Sequence, residues 1–154
     1  MNTNKKFYIS YGSNMNLEQM AVRCPTAKVV GTTMLNGWRL QFNGVATIIP
    51  EPGAQTPVVV WTIEPADERA LDRYEGFPNF YYKKDLTVIL DGKPVTAMVY
   101  IMSDGYSENV PSEYYFNIIA QGYKSAGFSP KPLMQALERA RIKQWEHNKK
   151  PRKY

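Results

Sequence analysis

The chain has 154 residues, 44% hydrophobic and 21% charged, the size and composition of one ordinary globular domain. A single cysteine, Cys24, leaves no disulfide framework or thiolate cluster, and a single histidine, His147, argues against a Ser-His-Asp triad or a His-rich metal site. The formal charge of +5 is not spread: residues 139–154 hold seven of the 19 Lys and Arg against one acid, Glu146, and the other 138 residues balance at −1.

In chain order, Met1 to Lys6 is polar and lacks the apolar core of a leader, and no apolar run nears the ~20 residues that span a bilayer. The expectation is a cytoplasmic, metal-free protein with no cofactor. Phe7 to Tyr11 is an aromatic strand, stopped by the loop residues Gly12-Ser13-Asn14. Asn16 to Val22 follows as a short helix, capped by Asn14 or Asn16 and ended by Pro25. Val29 to Phe42 reads as strand segments broken near Asn36-Gly37. Ala46 to Ile49 and Val58 to Ile63 are apolar runs, with Pro50-Glu51-Pro52-Gly53 as the hairpin loop between them.

Asp67 to Tyr74 is a short helix behind Pro65, closed by Gly76-Phe77-Pro78-Asn79. Tyr81 to Leu90 and Lys93 to Met102 are strands joined by Asp91-Gly92, the strongest hairpin signal in the chain. Ser112 to Ala126 is a helix ending at Gly127. Pro130 to His147 is a second, with Leu133, Leu137, Ala140 and Ile142 turned inward. These elements predict an α+β fold, a small mixed β-barrel with flanking helices, over one domain at 1–147 and a basic tail at 148–154.

Three features could carry chemistry. Tyr11-Gly12-Ser13-Asn14 links a strand to a helix, where successive N–H groups favour an oxyanion. It lacks the glycines of a nucleophile elbow and the Gly-Lys-Ser/Thr of a phosphate loop, so a plain strand-to-helix turn stays open. Glu75 ends a short helix among Tyr74, Phe77, Phe80, Tyr81 and Tyr82. It is either a general base with a raised pKa or an exposed glutamate paired with Arg73 or Lys83. The 11 tyrosines suit core packing or a pocket for a small polar ligand. Stacking on bases has no basic-aromatic motif beside it, and the neutral body offers no field for nucleic acid. Cys24 reads as a small buried residue. The basic tail reads as a solvated helix end, with a weak electrostatic contact to nucleic acid or an acidic protein as its alternative.

Taken together, Tyr11-Gly12-Ser13-Asn14-Met15, Asn43-Gly44-Val45-Ala46-Thr47-Ile48, Val59-Val60-Trp61-Thr62-Ile63, Leu71-Asp72-Arg73-Tyr74-Glu75-Gly76, Val99-Tyr100-Ile101-Met102 and the stretch from Tyr115 through Ile118-Ile119 to Gly122 form an ordered set. Over roughly residues 7 to 137 that set resembles the γ-glutamylcyclotransferase-like superfamily, which includes the plant avirulence-induced-gene proteins. The resemblance implies a mixed barrel with one cavity. It implies that Tyr11 to Met15 bind a γ-glutamyl group, that Tyr100 and Tyr115 line the pocket, and that Glu75 is the catalytic base. The expected activity is release of 5-oxoproline from a small γ-glutamyl compound, with neither nucleic acid nor membrane as partner. The alternative is a catalytically silent small-ligand-binding or interaction module on the same fold.

Overall fold

The computed structural model describes residues 5–149. Five strands and four helices follow one another as β1 (Lys6–Ser10), α1 (Leu17–Arg23), β2 (Lys28–Asn43), β3 (Val45–Ile63), α2 (Pro65–Glu75), β4 (Tyr81–Leu90), β5 (Lys93–Met102), α3 (Glu113–Ala126) and α4 (Lys131–Lys149). A 3₁₀ turn, Ser13–Met15, lies between β1 and α1. The basic tail expected from residue 148 lies, from residue 150 on, outside the described residues.

The strands form one mixed sheet in the order β2-β3-β1-β5-β4. Its centre is β1, antiparallel to β3 with Tyr8 opposite Trp61, and parallel to β5 with Tyr8 opposite Met98. A strand with neighbours on both sides is buried, and Tyr8, Ile9 and Ser10 are. Of the expected α+β fold with a mixed β-barrel, the mixed sheet and flanking helices are present, while closure into a barrel is not shown: among the described residues no backbone ladder joins β2 to β4. The two edges meet through side chains instead. Thr33 Oγ1 donates to the Ile89 carbonyl at 2.6 Å, and Leu90 fills the space over Gly31, where a Cβ would stand 2.9 Å from its Cδ1.

A second correction concerns the first hairpin. Its turn is at Gly44, at φ 82, between Asn43 and its pair Val45. Asn36-Gly37 and Pro50 to Gly53 lie within the two long strands and face each other across a bulge, with Asn36 opposite Gln55 but Trp38 opposite Pro50. Asn-Gly and Pro-Gly supply positive φ equally well to a turn or a bulge, and the cross-strand partner decides which is made. Asp91-Gly92 does form the predicted turn, both residues at positive φ, and pairs Leu90 with Lys93.

Each helix is held by its own chemistry. The α1 cap is Asn16, which accepts from the Gln19 N–H at 3.1 Å. At the start of α2, Asp67 Oδ2 accepts from the Glu64 N–H at 2.9 Å and from Thr26 Oγ1 at 2.6 Å. Leu71 is fully buried, and Gly76 stops α2 in the left-handed region at φ 66. Ser112 caps α3 by accepting from the Tyr115 N–H. The inner face of α4 is Leu133, Ala136, Leu137 and Ala140; Ile142, expected inward, is 49% exposed. Cys24 is buried with its thiol against the Asp67 carbonyl, and burial raises its pKa to about 11, so it stays protonated.

Candidate active site

Beyond β1 the chain must turn sharply, and a 3₁₀ turn does it. The Met15 and Asn16 N–H groups donate back to the Gly12 and Ser13 carbonyls at 3.0 and 3.1 Å. The N–H groups of Gly12, Ser13 and Asn14 precede the first bond of that turn and make no backbone hydrogen bond among the described residues. Two contacts hold the loop down. Asn16 Nδ2 donates to the Ile118 carbonyl at 3.0 Å and to Gln121 Oε1 at 3.1 Å on α3. At Gly122 the α3 backbone meets the loop directly: a Cβ there would lie 2.9 Å from Met15 Cβ and 3.1 Å from the Asn16 nitrogen. Gly12 is tight on its other side, where a Cβ would stand 3.2 Å from Ala46 Cβ and 3.5 Å from the Tyr115 hydroxyl.

Glu75 enters from the end of α2. The Gly76 cap turns the chain away immediately afterwards, the Phe77 N–H closing on the Asp72 carbonyl at 2.9 Å, so the last helical side chain is left over the loop. The Glu75 carboxylate makes no hydrogen bond among the described residues. Burial raises its pKa from 4.5 to about 7, with the nearby Arg23 charge acting the other way. Among the described residues Glu75 forms no ion pair with Arg73 or Lys83, the two partners considered from sequence; Lys83 is taken by Glu68 at 2.6 Å and Asp72 at 2.9 Å.

Tyrosines make up the walls. Tyr100 donates to Asp72 Oδ1 at 2.6 Å, and its backbone carbonyl accepts from the Tyr11 hydroxyl at 2.6 Å. Tyr115 accepts from the Ala46 N–H at 3.0 Å, and Tyr81 donates to the Ala46 carbonyl at 2.5 Å. Tyr8 accepts from Asn14 Nδ2 at 2.9 Å. Burial, with smaller contributions from neighbouring acids, drives the pKa of Tyr8, Tyr11, Tyr81, Tyr100 and Tyr115 well above 10. All five are neutral hydroxyls at any physiological pH.

Tyr11, Gly12, Ser13, Asn14, Glu75, Tyr100 and Tyr115, singled out in the sequence, thus line one cleft. Met15 does not; it is buried beneath the loop, against Gly122. Tyr8, Ile9 and Ala46 complete the lining together with Tyr81, which the sequence had offered only as a neighbour of Glu75. Tyr8 carried one usable signal: it alternates with Phe7 in β1, which puts one ring inside and the other out. The cleft is narrow, with about 20 Å³ of free volume, the space of one water-sized sphere. Wider depressions of about 550 and 630 Å³ lie along α4, away from the loop and Glu75.

A family model described as "Gamma-glutamyl cyclotransferase, AIG2-like" matches residues 8–118, from Tyr8 in β1 into α3. The chain belongs to this family. Among family relatives, the γ-glutamylcyclotransferases of Bos taurus and Homo sapiens are each 31% identical over 134 residues, covering 78% of this chain and 71% of theirs. A solved structure titled "Gamma-glutamyl cyclotransferase" superposes with a TM-score of 0.77 at 27% identity, over 97% of this chain and 90% of that one. The α+β architecture with its five-stranded mixed sheet is therefore that of the family. Among the described residues no helix is long and apolar enough to cross a membrane.

Proposed function

We propose that the protein is a γ-glutamyl cyclotransferase, releasing 5-oxoproline from a small γ-glutamyl amino acid or amine. The observation that carries this reading is the lone Glu75 carboxyl, with its pKa near 7, facing the loop Tyr11 to Asn14 in one tyrosine-walled cleft. In a γ-glutamyl amide the substrate's own α-amine is the nucleophile. It attacks the γ-carbonyl, a C–N bond closes a five-membered ring, and the bond to the leaving nitrogen breaks. The amine must lose a proton and the leaving nitrogen must gain one. A carboxyl poised near neutrality performs both transfers, and Glu75 is that group. The Gly12, Ser13 and Asn14 N–H groups are the donors available to the oxyanion of the tetrahedral intermediate. The walls hold the chain curled for ring closure.

Family membership and 31% identity to γ-glutamylcyclotransferases support the reaction class. The test is 5-oxoproline release from γ-glutamyl dipeptides and γ-glutamyl-lysine. Glu75→Gln should lower kcat by roughly 10²–10⁴-fold, the contribution of a general acid–base group. Unchanged release would remove Glu75 from the chemistry. The narrowness of the cleft favours a second reading, a silent ligand-binding or interaction module on this fold. That reading requires γ-glutamyl compounds to raise the melting temperature while no 5-oxoproline forms.

A further inference from the structure

Among the described residues Arg23 is the cation whose charge bears on Glu75, and the chemistry above makes no use of it. It is the last residue of α1, and two of its N–H groups are engaged, one by the loop and one by its own helix. Nη1 donates to Asn14 Oδ1 and Nη2 donates to Gln19 Oε1 at 3.1 Å. The guanidinium plane also lies 3.5 Å from the centroid of the Tyr74 ring, whose hydroxyl shares a 2.9 Å hydrogen bond with Ser13 Oγ. One side chain therefore ties together α1, the 3₁₀ turn and the end of α2 that carries Glu75.

These contacts have a direction. A guanidinium only donates, so the oxygen end of the Asn14 amide must face Arg23 and its nitrogen end must face away. That nitrogen reaches Tyr8, which consequently accepts and keeps its own hydroxyl hydrogen free for the cleft it lines with Glu75. We propose that Arg23 is a positioning residue, orienting Asn14 so that Tyr8 presents its O–H to the cleft, and clamping Tyr74 over Ser13 so that Glu75 stays above the loop. The consequence for catalysis rests on the cyclotransferase reading; the orientation does not. Glu75 is faced by Tyr8 from β1, Tyr11 from the loop, Tyr81 from β4 and Tyr115 from α3, with Tyr100 from β5 in the same lining. Arg23, from α1, brings the positive charge.

The experiment uses the full chain with Arg23→Met and Arg23→Lys, following the Glu75 carboxyl carbon and the Asn14 side-chain amide by NMR over a pH series, with kcat and KM measured alongside. In Arg23→Met the Glu75 midpoint should move above about 7 and the Asn14 amide signals should broaden or shift. Turnover should fall on the order of 100-fold in kcat with KM little changed, as misplacement of reacting groups does. Arg23→Lys should restore the Glu75 midpoint, because the charge returns. It should not restore kcat, because an ammonium has no flat face to lay on the Tyr74 ring while it donates to the amide. A folded Arg23→Met with an unmoved Glu75 midpoint and unmoved Asn14 signals overturns the inference. If the wild-type protein turns over no γ-glutamyl compound, the cyclotransferase reading fails alone, and the two NMR signals still decide the role of Arg23. If Arg23→Met does not fold, Arg23→Lys carries the decision: parental kcat in that variant overturns the clamp.

Discussion

Replacing Glu75 with Gln should stabilise this protein at neutral and alkaline pH while lowering the proposed cyclotransferase activity. In the unfolded chain Glu75 ionises at about 4.5, and in the folded chain burial holds it protonated up to about 7. Below pH 4.5 both states carry the proton, so the group contributes nothing to pH dependence there. Between 4.5 and 7 the folded state keeps a proton that the unfolded state releases, and wild-type stability falls as pH rises. Above 7 both states are ionised and the folded state bears the full cost of the buried charge. At ~1.4 kcal/mol per pH unit, a rise from 4.5 to about 7 amounts to about 3 kcal/mol, an upper bound because solvent reaches one side of the residue. Glutamine has the same shape and no charge at any pH, so it escapes this cost. Urea unfolding of both proteins from pH 4 to 9 should give curves that coincide at the acid end and separate steadily, the variant being the more stable above pH 7. Melting temperatures should separate in the same sense, by roughly 2–4 °C per kcal/mol for a chain of this size. Parallel curves across the whole range would refute the reasoning, since Glu75 would then have no raised pKa. So would a variant less stable than wild type at pH 8, the mark of a carboxylate that is favourably paired.

Gly122→Ala places a methyl within about 3 Å of the Met15 backbone and should cost about 1–3 kcal/mol in urea unfolding, with 5-oxoproline release falling because the loop is pushed out of place. Tyr115→Phe leaves the buried Ala46 N–H without its acceptor and should cost about 1–3 kcal/mol by thermal melting, with the fold retained in the amide NMR spectrum. Leu71→Ala empties a fully buried site under α2 and should cost about 2–5 kcal/mol at every pH. This lack of pH dependence separates it from the effect at Glu75.

Much of the fold could be read locally because its signals are local. Asp91-Gly92 demands positive φ and there is one compact way to supply it, so the β4–β5 turn was legible to the residue. The Ser112 cap and the left-handed stops at Gly76 and Gly127 bounded their helices for the same reason. The first hairpin was misread because Asn36-Gly37 and Pro50 to Gly53 satisfy a turn and a bulge equally, and only their pairing across β2 and β3 separates the two. How the sheet edges meet was not legible for a similar reason, since the contacts of Thr33 and Leu90 across those edges have no counterpart in either strand alone.

By itself the sequence determined which chemistry was available. With one histidine and one cysteine, what remained was a carboxylate after a short helix and a Gly-Ser-Asn loop after an aromatic strand, and the basic charge belonged to the end of the chain. Only the tertiary structure decided that Glu75 and Tyr11 to Asn14 share one cleft, that Met15 lies beneath it rather than in it, and that Arg23 donates to Asn14. A pKa near 7 requires burial among side chains from β1 and α3 as well as β4, and the sequence around Glu75 supplies only the last of these.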